Sequence, residues 1–395
     1  MVNYNPFFVS DKQVKEIAKN NQTPVYVYSK EVLTKYAKEA KLFKTAYGTA
    51  VRYAVKANPN KEVVQLFDSL GLLFDASSAE EAELLLSFGI KPQKIALNSQ
   101  QLPQNLQDIV KKGIFFTATS LHQLEQYCKI APNSNVGVRL NPGVGSGTNN
   151  RVTTGGVAAS FGIWHEYIPK IIATAKKANV TITKVHTHIG AGTDPTVWQQ
   201  SAKITLGLCK KVLSATVVSF GGGFKVGRMP NEQTADIALI GTKINKLVQD
   251  FAKDTGREMF VEIEPGTYLT AMAGVLIAKV IDVTNTGKDG YNFIRTNTGM
   301  NDFLRTSMYG AQHPLKIVNI KPTAETKKYV VVGHNCESGD ILTSAKGNPD
   351  QIEPRQLNKA TIGDYLVLAG AGAYCASMRA IGYNAFAPAK EIIID

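Results

Sequence analysis

The chain has 395 residues, 44% hydrophobic and 19% charged, which excludes a disordered polymer and provides core material for about two domains. No run reaches the ~18 apolar residues that a membrane span requires, and segment 273–278 is cut short by Lys279. The net charge of +12, from 44 basic and 32 acidic residues, is scattered singly or as Lys-Lys pairs. It reads as solvated surface rather than a nucleic-acid groove.

The opening residues, MVNYNPFFVSDK, lack a basic start followed by an apolar stretch, so no secretory signal is expected and the expected location is the cytoplasm. Cys128, Cys209, Cys336 and Cys375 are far apart and form no C-x-x-C pair. Neither a disulfide framework nor a zinc site is expected. PVYVYS, 24–29, is the first predicted strand. Eight more follow at 51–55, 72–75, 95–98, 115–119, 135–140, 183–188, 216–220 and 259–264, separated by amphipathic stretches. In AEEAELLLSFGI, Leu84, Leu85 and Phe88 share a helical face. Ser78 and Glu81 fit a capping box, and Gly89 marks the stop.

Eight strands alternating with helices match a (β/α)8 barrel, although a doubly wound sheet alternates as well. Beyond residue 272 the texture becomes β-rich, with VLIAKVIDVT, KYVVVG and DYLVLAG separated by turn residues. The predicted class is therefore α/β: a TIM-type barrel over 30–272, plus an antiparallel β domain, sandwich- or barrel-like, from 273–395 joined by the N-terminal strand in 1–29.

Active groups of such barrels collect at the C-terminal strand ends. Here those ends carry Lys56, Asp75, Asn98, Arg139, the pair His186 and His188, Gly221 to Gly223, and Glu262 with Glu264. Each has a bland reading. A lone Lys is usually solvated, three glycines can simply turn the chain, and His at i and i+2 lack a third ligand at metal spacing, so no metal is expected. One chemistry uses them all. A lysine can hold the aldehyde of pyridoxal phosphate, glycine N–H groups can approach its phosphate, His188 can stack on its ring, and Glu264 can face its pyridine nitrogen.

YAVKANPN, HTHIGAG, SFGGGF, EPG, MYGAQH, CESGDIL and GAYCASMRAIGYN occur in the order found in diaminopimelate decarboxylases, and the chain resembles that family of barrel-type (fold type III) pyridoxal-phosphate enzymes from about Pro24 onward. The resemblance implies decarboxylation of meso-diaminopimelate to L-lysine. It implies Lys56 as the Schiff-base lysine, His188 stacked on the ring, Gly221, Gly222, Gly223, Gly266 and Tyr374 around the phosphate, and Glu264 at the pyridine nitrogen. Arg305 and Tyr309 match residues that hold the substrate's distal carboxylate, and Tyr374 also borders the substrate. Cys336 matches a thiol that manages protonation and Glu337 a contact to the distal amino group. Both reach into a neighbouring subunit's site, which implies a homodimer.

Three positions depart from the family pattern. EPGR is here Glu264-Pro265-Gly266-Thr267, the usual Ser-Lys-Phe-Gly is Ala159-Ser160-Phe161-Gly162, and Ala191 stands where serine is common. The missing arginine removes a cation and a bidentate fork, for which Arg151 and Arg228 are the candidate substitutes. That departure sustains an alternative, a sister decarboxylase acting on another basic amino acid or a siderophore precursor. A racemase, a catalytically dead regulator and a nucleic-acid binder fit the same residues less well.

Overall fold

A computed structural model describes residues 5–145, 155–189 and 192–395; Arg151 and Ala191 lie outside the described residues. Two compact units emerge. One comprises Thr34–Lys225 with Gln233–Leu269; the other joins the segment ending at Leu33 to Val226–Glu232 and Thr270–Asp395.

In chain order the strands are β1 (Val25–Ser29), β2 (Thr49–Ala54), β3 (Leu73–Ala76), β4 (Ile95–Leu97), β5 (Phe115–Ala118), β6 (Asn135–Asn141), β7 (Ile163–Trp164), β8 (Thr181–His186), β9 (Val217–Ser219) and β10 (Phe260–Ile263). Strands β2 to β6 and β8 to β10 pair in parallel, and the ring closes where Val261 of β10 meets Thr49 of β2 and Thr117 of β5 meets Gly137 of β6. This is the eight-stranded barrel. Its strands are short apolar runs, as parallel strands covered on both faces must be. The two-residue β7 is an addition that no alternation in the sequence marks, and it pairs with β6 through Leu140 and Ile163.

Five of the intervening helices begin at side-chain caps worth about 1 kcal/mol each. Asn60, Ser78, Ser120, Asp194 and Asp236 cap Lys61–Ser69, Ala79–Ser87, Leu121–Ile130, Pro195–Lys211 and Ile237–Thr255. The Ser78 hydroxyl accepts from Glu81 N–H at 3.0 Å, but the Glu81 carboxylate takes Ser77 N–H at 2.7 Å. The box is thus displaced by one residue. The buried face of that helix is Ala82 and Leu85, with Leu84 and Phe88 half-buried at its flank.

The second unit is a largely antiparallel sheet. Its strands continue as β11 (Gly274–Asn285), β12 (Asn292–Thr296), β13 (Leu315–Val318), β14 (Thr326–Val332), β15 (Ser344–Ala345), β16 (Asn348–Ile352), β17 (Arg355–Asn358), β18 (Tyr365–Ala369) and β19 (Lys390–Ile394). The path runs β13-β18-β11-β12-β14-β17, with β15 and β16 as a separate pair. The early strand β1 lies in this sheet, antiparallel to β11 and parallel to β19. The β12–β14 pairing is also parallel. Val9, Val14 and Ala18 of the N-terminal segment pack with Val25, Val27, Val275, Ile277, Val318 and Val367 into its core. No helix among the described residues is long and apolar enough to cross a membrane.

Candidate active site

Lys56 sits in a single 3-10 turn, Val55–Ala57, directly beyond β2. Asn58 N–H closes that turn on Val55 O at 3.0 Å, and Ala54 N–H reaches Pro265 O at 3.4 Å. The lysine is thereby held at the barrel's C-terminal end, with its side chain exposed. Asp75 ends the next strand and is 3% exposed. Burial, reinforced by Glu264, pushes its carboxyl up to about 8 against the pull of Lys56, Lys184 and Arg52. Its Oδ1 has no hydrogen-bond partner.

Glu264 follows β10 and is fully enclosed. Burial raises its pKa, but His186, Lys184 and Ser219 outweigh that and hold it well below the usual carboxylate range. His186 Nε2 lies 2.9 Å from Oε2, and the Ser219 hydroxyl donates to Oε1 at 2.7 Å. Burial lowers the pKa of His186, so a neutral ring donates its one N–H to the carboxylate. Strand β8 ends at His186. His188 therefore lies beyond the strand, where a two-residue alternation no longer aims it; burial, Arg139 and Lys56 hold it well below its ordinary pKa. Arg139, near the end of β6, is buried with its guanidinium 5.0 Å from the Phe161 ring centre. Deeper in the barrel, Glu262 bridges Arg52 at 2.6 Å and Lys184 at 2.5 Å. Lys184 and Arg52 bring Glu262 down to about 2 despite its burial.

Gly221 to Gly223 form the floor beside His188. Gly221 and Gly223 have φ of +71° and +104°. A Cβ on Gly222 would stand 2.3 Å from Glu264 O, and one on Gly221 would stand 2.9 Å from the His188 ring. Only bare backbone fits there. Gly266 accepts Leu269 N–H at 3.2 Å and directly precedes the short helix Thr267–Thr270, which Thr267 opens.

The remaining expected residues belong to the β unit. Tyr374 adopts φ +56°, uncommon for a non-glycine residue. Arg305 and Tyr309 bracket one helical turn, with the guanidinium 5.9 Å from the tyrosine ring centre. Cys336 and Glu337 are exposed on the loop after β14. Asn384 Oδ1 accepts Cys336 N–H at 2.8 Å, and Glu337 accepts Tyr383 O–H at 3.2 Å. Gly339 N–H and that hydroxyl draw Glu337 below the usual carboxylate range. The structure thus gathers Lys56, His188, Glu264 and the glycines in the barrel unit, and Arg305, Tyr309, Tyr374, Cys336 and Glu337 in the β unit. Sequence reasoning missed Ser219 as a holder of Glu264, the role of His186 beside it, and the open Oδ1 of the buried Asp75. The tip positions of His186 and Asp75 were the available signal.

Residues 33–271 match the family model for the pyridoxal-binding domain of pyridoxal-dependent decarboxylases. A diaminopimelate decarboxylase of Escherichia coli K12 is 31% identical over 388 residues, covering 94% of this chain and 89% of the relative. Among solved structures, a diaminopimelate decarboxylase aligns with a TM-score of 0.90 at 28% identity, covering 99% of this chain and 94% of the other. The Helicobacter pylori diaminopimelate decarboxylase complexed with L-lysine gives 0.85 at 25%, covering 96% and 94%. The chain belongs to the diaminopimelate decarboxylase family of pyridoxal-dependent enzymes.

The barrel residues of this decarboxylase fit the family's cofactor. An amine stands beside a buried carboxylate with an open oxygen. A second carboxylate is kept anionic by two donors yet retains lone pairs for a third. A cradle exists that a single Cβ would fill. Pyridoxal phosphate asks for each of these.

Proposed function

We propose that this chain decarboxylates meso-diaminopimelate to L-lysine and carbon dioxide. The observation that carries this reading is full-length membership of the family, together with a barrel mouth whose Lys56, Glu264 and glycine cradle suit the cofactor. When bound, pyridoxal phosphate supplies an electron sink for the pair left on the α-carbon as carbon dioxide departs. Lys56 is assigned to hold it, and to give way to the substrate amine. Glu264, kept ionised by His186 and Ser219, holds a proton at the ring nitrogen. His188, neutral by burial, offers a flat uncharged face. Gly221 to Gly223, Gly266 and Tyr374 are assigned to the phosphate.

Arg305 and Tyr309 are assigned to the distal carboxylate, Glu337 to the distal amine, and Cys336 to returning a proton to the α-carbon. The exposure of Cys336 and Glu337 on a loop held by Asn384 and Tyr383 supports their use across a subunit boundary, and a homodimer is part of this proposal. So is a cytoplasmic location, supported by Cys128, Cys209, Cys336 and Cys375 all being free thiols.

Purified protein supplied with cofactor and meso-diaminopimelate should release carbon dioxide and lysine in equal amounts. Absence of lysine overturns the substrate. Thr267, standing where the family arginine belongs, favours one second reading, a sister decarboxylase. Turnover of ornithine or arginine in preference to diaminopimelate would establish it. Lys56→Ala should abolish the visible absorbance of the bound cofactor, and survival of that band would displace Lys56 from its role.

A further inference from the structure

At the end of β18 two consecutive backbone carbonyls anchor two guanidiniums, Arg228 directly and Arg305 through His313. Gly370 O accepts Arg228 Nε–H at 3.0 Å. Ala369 O lies 3.0 Å from His313 Nδ1, which makes that nitrogen the protonated one and leaves Nε2 to accept Arg305 Nε–H at 3.4 Å. Both guanidiniums are thus tied by Nε, so their terminal nitrogens remain for other work. The approach is close: a Cβ on Gly370 would stand 3.1 Å from Arg228 Cγ and Cδ.

Arg228 is 8% exposed, and its Nη2 is buried without a partner. The acid whose field reaches it, Glu232, spends Oε2 on the backbone N–H groups of Arg228 and Met229, at 2.9 and 3.3 Å. Among the described residues, the arginines in ion pairs are Arg52, Arg295, Arg355 and Arg379. Burial and the neighbouring Arg305 lower Arg228 to about 9. Cys375 supplies no countercharge, since burial keeps its thiol up at about 11 although both guanidiniums pull it down. His313 is held neutral by burial and by the same two arginines. Two like charges, one buried with an unpartnered Nη2 and one half-buried, with Glu232 turned to backbone N–H groups, describe a site that favours an incoming anion.

We propose that Arg228 and Arg305 form a paired-guanidinium seat for the distal carboxylate of the substrate, with Arg228 supplying the positive charge that Thr267 does not. This rests on the reading of the substrate as an amino acid with a second carboxylate. A guanidinium fork suits a carboxylate. The phosphate of the cofactor is the other anion with matching chemistry, and the test separates the two.

The experiment compares L-lysine with 1,5-diaminopentane on the holoenzyme by titration calorimetry. L-Lysine keeps the carboxylate that decarboxylation leaves behind; 1,5-diaminopentane is the same chain without it. Arg228→Gln should weaken L-lysine by about 10–100-fold, the effect of withdrawing a charge-assisted donor from a buried anion. Binding of 1,5-diaminopentane, and the affinity of the apoprotein for pyridoxal phosphate, should not change. Arg228→Lys, which keeps the charge but loses the fork, should fall between wild type and Arg228→Gln, and it provides the readout should Arg228→Gln not fold. Equal weakening of both amines, no change in either, or a loss confined to cofactor affinity overturns the proposal. Failure of the substrate reading is seen separately, as wild-type enzyme that makes no lysine.

Discussion

His186 donates to Glu264 across 2.9 Å inside a closed parallel barrel, and the Ser219 hydroxyl takes the other carboxylate oxygen at 2.7 Å. A carboxylate pinned at both oxygens keeps its charge where burial alone would remove it. His186→Phe removes one donor, so the pKa of Glu264 rises. The acidic limb of the kcat/KM profile should then move to higher pH, with kcat down about 10–100-fold and the cofactor still bound. A profile with an unmoved acidic limb would detach His186 from this task.

Gly222→Ala forces a Cβ to within 2.3 Å of Glu264 O. Either the glycine loop or the Glu264 backbone must shift. Thermal unfolding should show a loss of about 1–3 kcal/mol, the ordinary range for overpacking. Equilibrium dialysis should show weaker retention of pyridoxal phosphate, since the loop and the carboxylate move together.

Two buried acids give opposite pH dependences in the apoprotein. Asp75 is raised to about 8, so the native state holds its proton more tightly than the unfolded chain. Its contribution falls as pH rises from about 4 to 8, by up to roughly 1.4 kcal/mol per unit. Asp75→Asn should flatten that slope in urea melts. Glu262 is lowered to about 2, so its contribution is present above about 4.3 and is lost as pH falls toward 2. Glu262→Gln leaves Arg52 and Lys184 buried without their anion, and should cost about 3–5 kcal/mol at neutral pH.

On the homodimer proposed above, the Lys56→Ala and Cys336→Ala proteins should each be inactive when prepared alone. Mixed and allowed to exchange subunits, they should recover about a quarter of wild-type activity, because half the dimers then carry one intact composite site. No recovery, with exchange verified by tagged subunits, would place each site within a single chain.

The barrel was legible because parallel strands covered on both faces read as short apolar runs, and because polar residues at their tips had no packing reason to be there. Lys56, Glu264 and the three glycines were visible on those terms. The partners of Glu264 were not. Ser219 and His186 lie 45 and 78 positions away, and only the parallel pairing of strands far apart in sequence, here β8 with β9 and β9 with β10, brings them together. The Arg52–Glu262–Lys184 cluster is hidden for the same reason: Glu262 looked like a mouth residue, yet its two cations place it in the interior. His188 escaped the strand alternation because β8 stops two residues earlier, and β7 is too short to show a period.

Strand β1 is buried along its whole length, with β11 on one side and β19 on the other. On the ribosome it emerges early, but Tyr26 meets Leu276 and Glu391, which are made much later. Throughout synthesis of the barrel segment, a run of five core residues has neither neighbour to pair with. Such a strand is a liability for aggregation until β11 and β19 arrive. Loss of Lys390–Ile394 would therefore do its damage at birth, as nascent chains diverted to chaperones or inclusion bodies, long before any catalytic assay could register a defect.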